Sequence, residues 1–344
     1  MKLDFSVGTG RAMTLPEVSD EARIADELGF SHITLVDQPD LDRDVYFMMN
    51  EAARSTQRIK IGQGITVTGL RHPSVAANSM ACLDEVSNGR AFLGIGSGWT
   101  AFTTKGGKRG RQSVLRETVE FIREYMTGAD AEFEGARMHS EWIRKPVPIY
   151  MAAAGPKACQ AAGELADGVI LGPGANPEVV KWRIEHVAKG AERAGRNLSD
   201  IDIWIRTMVV PAESRAAGMH EVAAYAMLTC GLTLAMKGPE SDDLRSRLAK
   251  SMPDLDDLMR EAKACYDAYD PYYHEKANAP HDKLVTQRMV DFMHLVGTPD
   301  DISERISVLG ELGANNISTV VFTSTDRVAT MRAIASDIMP RFQS

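Results

Sequence analysis

The sequence predicts an α/β protein, a single TIM (β/α)8 barrel with a mostly helical insertion after strand seven. Two observations support this prediction. Glycine clusters follow several apolar runs, at the places where a barrel of parallel strands carries its functional site. Eight apolar runs, each followed by helical sequence, begin at Leu3, Ser31, Ile59, Ala91, Val147, Gly168, Ile201 and Ile317. A length of 344 residues suits one barrel with an insertion, so residues 1–344 are expected to form one domain.

The stretch from Ile59 to Trp99 shows the repeating unit most clearly. The apolar run Ile59–Val67 has the length and composition of a strand buried on both faces. A proline before Ser74–Val86 and an Asn-Gly pair after it give the start and stop signals of a helix. A second buried run, Ala91–Ile95, leads into a glycine-rich segment that ends at Gly98. These glycines indicate either a ligand close to the backbone or tight packing between strands alone.

The other predicted elements alternate in the same way. In order, they are strand Leu3–Gly8, helix Pro16–Gly29, strand Ser31–Val36, helix Asp44–Thr56, helix Val114–Tyr125, strand Val147–Ala152, a helix to Ala166, strand Gly168–Leu171, helix Pro177–Ala194, strand Ile201–Val210, helix Ile302–Leu312 and strand Ile317–Phe322. Between two of them, Asp130–Trp142 predicts a small polar excursion.

Residues 214–295 are too long for one crossover helix and predict a helical insertion at the mouth of the barrel. The insertion contains an aromatic cluster: Tyr266, Tyr269, Tyr272, Tyr273, His274 and His281. These side chains are expected to line a substrate pocket, to shield a cofactor or to pack against a partner subunit. The structural reading is slightly favoured, because aromatic clusters are as common at interfaces as in pockets.

Composition restricts the class of protein. With 44% apolar and 25% charged residues and a net charge of -8, the chain has the profile of a globular enzyme and lacks the basic face of a nucleic-acid-binding protein. No apolar run approaches the ~20 residues of a membrane span, and the N-terminus has no signal-peptide pattern. The sequence therefore predicts a cytoplasmic protein with a small-molecule substrate, and neither nucleic acid nor membrane as a partner.

Cysteine and histidine spacing indicates no metal site and no disulfide framework. The four cysteines are far apart, and the eight histidines show no HxH or HExxH spacing. Cys82 and Cys159 lie in helical patterns and are expected to fill the core. The chain also lacks a GxSxG motif and a Walker loop. A protein without its own nucleophile or metal is expected to take its chemistry from a cofactor.

Two glycine-proline turns predict a binding site for phosphate. Gly155-Pro156-Lys157 and Gly172-Pro173-Gly174 each lie between a strand and a helix, so backbone N–H groups at two adjacent helix N-termini are expected to form a phosphate cup. Ordinary turn chemistry needs the same residues.

Three further features have both a functional and a structural interpretation. Asp37, at the exit of the second strand, is a candidate for holding a ring nitrogen or polarising a carbonyl, and equally for capping a turn. Arg71 and His72 are expected to be structural, capping the following helix or bridging to acidic neighbours. The basic link after strand four is either a solvated loop or a lid that attracts an anionic cofactor tail; its charges are Lys105, Lys108, Arg109 and Arg111.

Four stretches resemble the bacterial luciferase-like flavin and deazaflavin oxidoreductases. They cover almost the whole chain in the right order, and they are Ala22–Gln38, Ile61–Gly98, Pro146–Leu171 and Val296–Ala314. The short form of the chain and its GQGITV run are most similar to the coenzyme F420-dependent branch that includes methylenetetrahydromethanopterin reductase. The resemblance implies a TIM barrel with an insertion after strand seven, a homodimer, and F420 or, alternatively, FMN as the cofactor.

The resemblance also assigns residues to the cofactor. It implies a non-prolyl cis peptide bond in the third strand, at Gly64-Ile65, against which the deazaflavin ring rests. Cofactor-binding positions implied in this way are Asp37, Gly64, Ile65, Thr66, Ser97, Gly98, Ala154, Gly155, Pro156, Gly172, Pro173 and Gly174. The resemblance places the last six of these residues around the cofactor phosphate.

The candidate catalytic residues are Asp37, Gln38 and Trp99. In F420-dependent sugar-phosphate dehydrogenases a histidine follows the strand-two aspartate and a glutamate follows the strand-four glycines, whereas Gln38 and Trp99 occupy those places here. This departure weighs against a sugar phosphate as the substrate and removes the obvious acid and base. Trp99 is instead a candidate for stacking on a substrate ring, and a tyrosine or histidine of the insertion is a candidate proton donor.

Three functions are compatible with these features. The first is hydride transfer between F420 and a small organic substrate. The second is an FMN-dependent monooxygenase that uses O2 and reduced flavin from a partner reductase. The third is a non-catalytic flavin-binding relative.

Overall fold

Residues 2–98, 110–223, 238–268, 282–321 and 326–343 are described in the computed structural model. Their strands are β1 Asp4–Gly8, β2 His32–Leu35, β3 Lys60–Gln63, β4 Thr66–Val67, β5 Ala91–Gly96, β6 Ala131–Phe133, β7 Ala136–Met138, β8 Ile149–Ala153, β9 Gly168–Leu171, β10 Asp202–Thr207, β11 Val209–Pro211, β12 Leu295–Gly297 and β13 Asn316–Val320. Their helices are α1 Leu15–Glu27, α2 Val45–Ser55, α3 Pro73–Val86, α4 Gln112–Tyr125, α5 Pro156–Leu165, α6 Pro177–Arg193, α7 Pro239–Ser251, α8 Leu255–Asp267, α9 Gln287–Met293, α10 Pro299–Glu311 and α11 Arg327–Ala333. Residues 215–223 are also helical.

The barrel is closed by parallel pairing all the way round. Its sheet runs in the order β3, β2, β1, β13, β10, β9, β8, β5 and β4, and β3 also pairs with β5. Because β3 and β4 occupy one position, the barrel has eight strand positions. The predicted TIM barrel is therefore confirmed.

The third strand position is interrupted where the sequence predicts one continuous run. On β3, Gly62 pairs with Phe92 of β5, whereas on β4, Thr66 pairs with Ile95. The third strand thus carries one residue more than β5 over the same length, which is the definition of a β-bulge. The peptide bond between Gly64 and Ile65 is cis, as the family resemblance implies.

Local sequence signals set the starts of several helices. Thr14 caps α1 in a capping box with Glu17, and His72 caps α3 through its bond from the Ser74 amide. Proline stands in the first turn of α1, α3, α5, α6, α7 and α10, where its missing N–H removes no hydrogen bond.

Two buried clusters meet at the strands. Outward-facing residues such as Ile33, Ile61 and Leu93 pack against the helices in the main core. Inward-facing Phe92, Tyr150, Trp204 and the aliphatic Ile170 form a separate cluster inside the barrel, which we call the inner cluster. This alternation follows from the two-residue period of a strand.

Some sequence expectations are corrected by the structure. The seventh run divides into β10 and β11, and β11 pairs in parallel with β12 at the end of the predicted insertion. The polar excursion contains a two-stranded antiparallel hairpin of β6 and β7. Cys82 is exposed on α3, so its predicted core position is wrong, because it falls on the solvent side of the helix. Cys159 is fully buried.

The segment between β11 and β12 is helical where it is described. Helices α7, α8 and α9 pack with α6 through a third buried apolar cluster that includes Trp182, Leu248, Leu258 and Phe292. Across the described part of the chain, no helix combines the length and the apolar character that crossing a membrane requires.

Candidate functional site

The carboxyl ends of the barrel strands bring most of the candidate residues to one rim. Asp37 and Gln38 follow β2, Gly64 and Ile65 separate β3 from β4, and Ser97 follows β5. The turns after β8 and β9 supply the remaining candidates, from Ala154 to Pro156 and from Gly172 to Gly174. Because all barrel strands are parallel, these segments share one end of the barrel.

Asp37 is buried, with 2% of its surface exposed. Its Oδ2 accepts hydrogen bonds from Thr66 Oγ1 at 2.6 Å and from Arg71 Nη1 at 2.5 Å. Arg71 also bonds Asp44 at 2.9 Å and lies 4.9 Å from the ring centre of Tyr46. The other oxygen, Oδ1, is buried and has no hydrogen-bond partner among the described residues. Asp37 therefore keeps one acceptor for a ligand.

Gln38 is equally buried, with 3% of its surface exposed. Its Oε1 accepts a hydrogen bond from Arg11 Nη2 at 2.5 Å. Its Nε2 is buried, and no described residue bonds it. An unsatisfied buried polar group costs about 1–3 kcal/mol, so both neighbouring residues present atoms that a ligand would satisfy.

Tight packing between neighbouring strands accounts for Gly64, which lies between β3 and β4, and for the glycines of β5. A Cβ on Gly64 would lie 2.5 Å from Thr34 Cβ, and one on Gly94 would lie within bonding distance of the Gln63 carbonyl oxygen. A Cβ on Gly96 would lie 2.5 Å from Ile65 Cδ1. The close strand packing considered from the sequence is thus present, and it fixes the backbone at Gly64 and Ile65 against its neighbours.

Beneath this rim lies the inner cluster of the barrel, which was not among the features predicted from the sequence. Tyr150 and Trp204 both donate to Asp202 Oδ2, at 2.9 and 2.7 Å. His32 lies 4.5 Å from Trp204 between ring centres, and burial lowers the pKa of His32 to about 3. Burial also raises the pKa of Tyr150 and of Asp202. Alternation of large residues on β5, β8, β9 and β10 is the signal that predicts such a cluster inside a barrel.

Ser97 and Gly98 follow β5 at the rim. Ser97 Oγ accepts from Gln112 Nε2 at 3.3 Å, and its carbonyl accepts from the Gly110 amide at 3.0 Å. Gly98 has a φ of +65°, a conformation that glycine adopts without strain. Trp99 lies outside the described residues.

The two turns predicted as a phosphate cup differ from each other. The N-terminus of α5 has no side-chain cap, so its first amides remain available to an anion. At α6, Asn176 Oδ1 accepts from the amides of Glu178 and Val179. The amides of Gly172 and Gly174 are also bonded, to the carbonyls of Ala153 and Arg206. The prediction of two open helix ends is therefore wrong for α6, because its own asparagine caps it.

A fully buried arginine joins these two turns. Arg183 Nε donates to the carbonyl of Ala154, and Nη1 donates to the carbonyl of Pro173, both at 3.1 Å. Burial lowers the pKa of Arg183 to about 10. No local pattern in α6 announces this role, because both partners are distant in sequence.

Arg206 is a second arginine that the sequence analysis missed. It shares the inner face of β10 with Trp204, two residues away, and its Nη1 is buried without a partner among the described residues. A Cβ on Gly172 would lie 2.9 Å from Arg206 Cβ. A charged residue near the end of the apolar run 201–210 is the signal that marks it.

Of the remaining candidates, some have structural roles and others lie outside the described residues. Arg71 and His72 bridge and cap, as expected, and the His72 ring also packs edge-on against Phe121 and Phe133. Arg111 precedes α4, and Tyr266 is partly exposed on α8. Lys105, Lys108, Arg109 and the insertion residues 269–281 lie outside the described part of the chain. Within that part, no group of three or more histidine, cysteine, aspartate or glutamate side chains is placed to hold a metal ion.

The fold defines a class, the parallel α/β barrels, and the candidate residues lie at the carboxyl ends of its strands. Residues 3–316 match the family model of luciferase-like monooxygenases. The chain belongs to this luciferase-like family.

Two known proteins are similar to this chain in sequence, and a third is similar to it in fold. It is 29% identical to 5,10-methylenetetrahydromethanopterin reductase of Methanolobus tindarius, over 88% of this chain and 89% of that protein. It is also 29% identical to F420-dependent glucose-6-phosphate dehydrogenase of Nakamurella multipartita, over 81% and 85%. The solved structure of coenzyme F420-dependent tetrahydromethanopterin reductase from Methanopyrus kandleri superposes with a TM-score of 0.78 at 22% identity, over 99% and 100% of the two chains.

Proposed function

We propose that this protein is an F420-dependent oxidoreductase that transfers a hydride between the deazaflavin and a small organic substrate. The observation that carries the proposal is a pair of buried polar atoms at one rim that have no partner among the described residues, Asp37 Oδ1 and Thr68 Oγ1. An acceptor and a hydroxyl at neighbouring strand ends suit a ligand with several polar edges, as a deazaflavin has.

The residues of the rim fit that cofactor. The backbone at Gly64 and Ile65, with Asp37 and Thr66 beside it, would hold the ring, and Ser97 and Gly98 would lie near the ring or its ribityl chain. The phosphate would sit at the open amides of α5, which follow Ala154 and Gly155. When bound, reduced deazaflavin supplies a hydride, and the oxidised form accepts one. The contribution of the chain is to position the two reactants relative to each other.

The relatives support the same cofactor. The curated relatives described above are methylenetetrahydromethanopterin reductase and an F420-dependent dehydrogenase. FMN remains the second candidate, because the family as a whole is described as luciferase-like monooxygenases. In that case the partner would be a reductase that delivers reduced flavin, and the substrate would be oxygenated.

A side-by-side titration of the apo-protein with F420 and FMN tests the proposal. We expect F420 fluorescence to change with a Kd about 100-fold or more below that of FMN, equivalent to about 2.7 kcal/mol. The reverse order of affinities would favour the monooxygenase and contradict the proposal. Tight F420 binding without turnover of any ketone, imine or alcohol would instead favour a non-catalytic cofactor-binding protein.

We further propose that the protein is a homodimer. Val75 and Trp142 are each about half exposed, at 50% and 47%. Trp142 Nε1 donates to Asn78 of α3 at 3.2 Å, which places its ring one helical turn from Val75. Exposed apolar side chains grouped in this way are typical of subunit interfaces. Sedimentation velocity is expected to show a dimer that Val75→Asp converts to a monomer; an unchanged dimer would exclude this surface.

Cytoplasmic location stays a prediction.

A further inference from the structure

The side-chain amide of Gln38 has only one orientation compatible with its neighbour. A guanidinium group donates hydrogen bonds and accepts none. Arg11 Nη2 lies 2.5 Å from the Gln38 side chain, so the atom that faces it is the oxygen Oε1. The nitrogen Nε2 must then face the other way.

Arg11 is itself fixed by a carboxylate. Its Nη1 lies 3.0 Å from Asp42 Oδ2, and the two side chains are 12% and 3% exposed. Asp42 Oδ1 accepts from the Ala12 amide at 2.8 Å, and the Asp42 amide donates to the Gln38 carbonyl at 2.9 Å. The backbone and the side-chain oxygen of Gln38 are therefore both held by one network.

The free end of the amide is a donor. Gln38 Nε2 is buried, and none of the described residues accepts a bond from it. It lies next to Asp37, at the exit of β2 and on the rim assigned above to the cofactor. A glutamine in this setting offers N–H groups and no acceptor to whatever binds there.

We propose that Gln38 donates a hydrogen bond to the oxygen or nitrogen of a polarised C=O or C=N bond, and that the substrates are ketones or imines that the enzyme reduces. The inference rests on the proposed F420-dependent function. Hydride from the reduced deazaflavin adds to the carbon, the π electron pair moves to the oxygen or nitrogen, and a proton from solvent water completes the alcohol or amine. The Gln38 N–H group stabilises the negative charge that develops on that atom.

Gln38 itself does not serve as the base for the reverse reaction, the oxidation of an alcohol or amine. Oxidation of an alcohol needs a group that accepts the hydroxyl proton. A carboxamide does not take up a proton in this pH range, and Oε1 of Gln38 is engaged by Arg11. Arg11 and Asp42 act as positioning residues, because they act on the substrate only through the amide.

The experiment compares the wild-type protein with Gln38→Glu and Gln38→Met. Both variants lack the N–H donor, and Gln38→Glu retains an acceptor for Arg11. F420 binding is measured first by fluorescence titration, and it is expected to change less than about 3-fold in either variant. Failure of the wild-type protein to bind F420 would overturn the proposed function, and this inference with it.

Turnover is then measured with reduced F420 and a panel of linear, cyclic and aromatic ketones and cyclic imines, including cyclohexanone and 3,4-dihydroisoquinoline. We expect kcat/KM of Gln38→Glu to fall about 100-fold near pH 8 and to recover partly near pH 5, where a protonated carboxyl donates again. Gln38→Met is expected to show the loss without the recovery.

Matched arginine variants test the positioning network. Arg11→Met is expected to lower kcat/KM about 10-fold, because the amide is then able to turn. Arg43→Met is the control, since Arg43 bonds the Ala12 carbonyl in the same loop at 2.7 Å without touching Gln38. Three results would overturn the inference: wild-type activity in Gln38→Glu, a loss confined to F420 affinity, or a wild-type protein that binds F420 and reduces none of the panel.

Discussion

Gly64→Val is expected to reduce F420 affinity by about 100-fold or more and to destabilise the fold by about 1–3 kcal/mol. The added Cβ would lie 2.5 Å from Thr34 Cβ and 2.7 Å from Thr34 Oγ1, so either Thr34 or the backbone of Gly64 must move. Thr34 is fully buried on β2, which leaves the backbone of the third strand as the part that yields. That backbone is the proposed support of the ring. Fluorescence titration and urea unfolding measure the two effects separately.

The control is a double variant that adds a side chain at Gly64 and removes the side chain of Thr34, which it would contact. Gly64→Ala alone is expected to weaken F420 binding about 10-fold, and the double variant Thr34→Gly with Gly64→Ala is expected to regain most of it, because the contacting atoms on Thr34 are gone. Wild-type affinity in Gly64→Val would show that this backbone does not support the cofactor.

Acid is expected to destabilise the protein through two buried histidines. Burial, with Lys60 nearby, lowers the pKa of His32 to about 3, and burial, with Arg305 nearby, lowers the pKa of His294 to about 3. The unfolded chain binds a proton at each histidine below about pH 6.5, whereas the folded protein does not. Stability is therefore lost as the pH falls from about 6.5 to about 3.

The expected loss at pH 5 is about 2 kcal/mol for each histidine, or about 4 kcal/mol for the pair. Urea unfolding near pH 7.5 and pH 5 measures it. His32→Phe and His294→Asn should each flatten the pH dependence by about half, whereas the exposed His220→Asn should leave it unchanged. Equal pH dependence in the wild-type protein and both buried-site variants would contradict the assignment.

Local patterns predicted the barrel and part of the rim. Buried runs of strand length are visible in the sequence because both faces of a parallel strand are covered, and Asp37 is recognisable as a polar exit from such a run. The bond between Gly64 and Ile65 followed from family resemblance. Contacts between distant segments were not accessible in this way. Arg183 reaches two turns that precede it in the chain, and Arg11 orients Gln38 across a loop.

Other differences arose where one residue type serves two purposes. Asn176 before a proline is compatible with an open anion site and with a self-capped helix, and the structure has the cap. Cys82 has a helical neighbourhood, but the pattern did not fix which face of α3 turns outward. The inner cluster could not be predicted in this way, because its contacts depend on the register of four strands, and that register is set only when the barrel closes.

The extra residue in the third strand also determines how this segment tolerates insertions and deletions. Gly62 and Thr66 are four positions apart, and their partners Phe92 and Ile95 are three positions apart. Removing one residue between them would give the two strands equal lengths and a regular ladder. Thr66 would still pair with Ile95 and keep its face, but the irregular backbone at Gly64 and Ile65, which is the proposed support of the ring, would be lost. A shorter third strand would thus be compatible with a barrel but not with this rim.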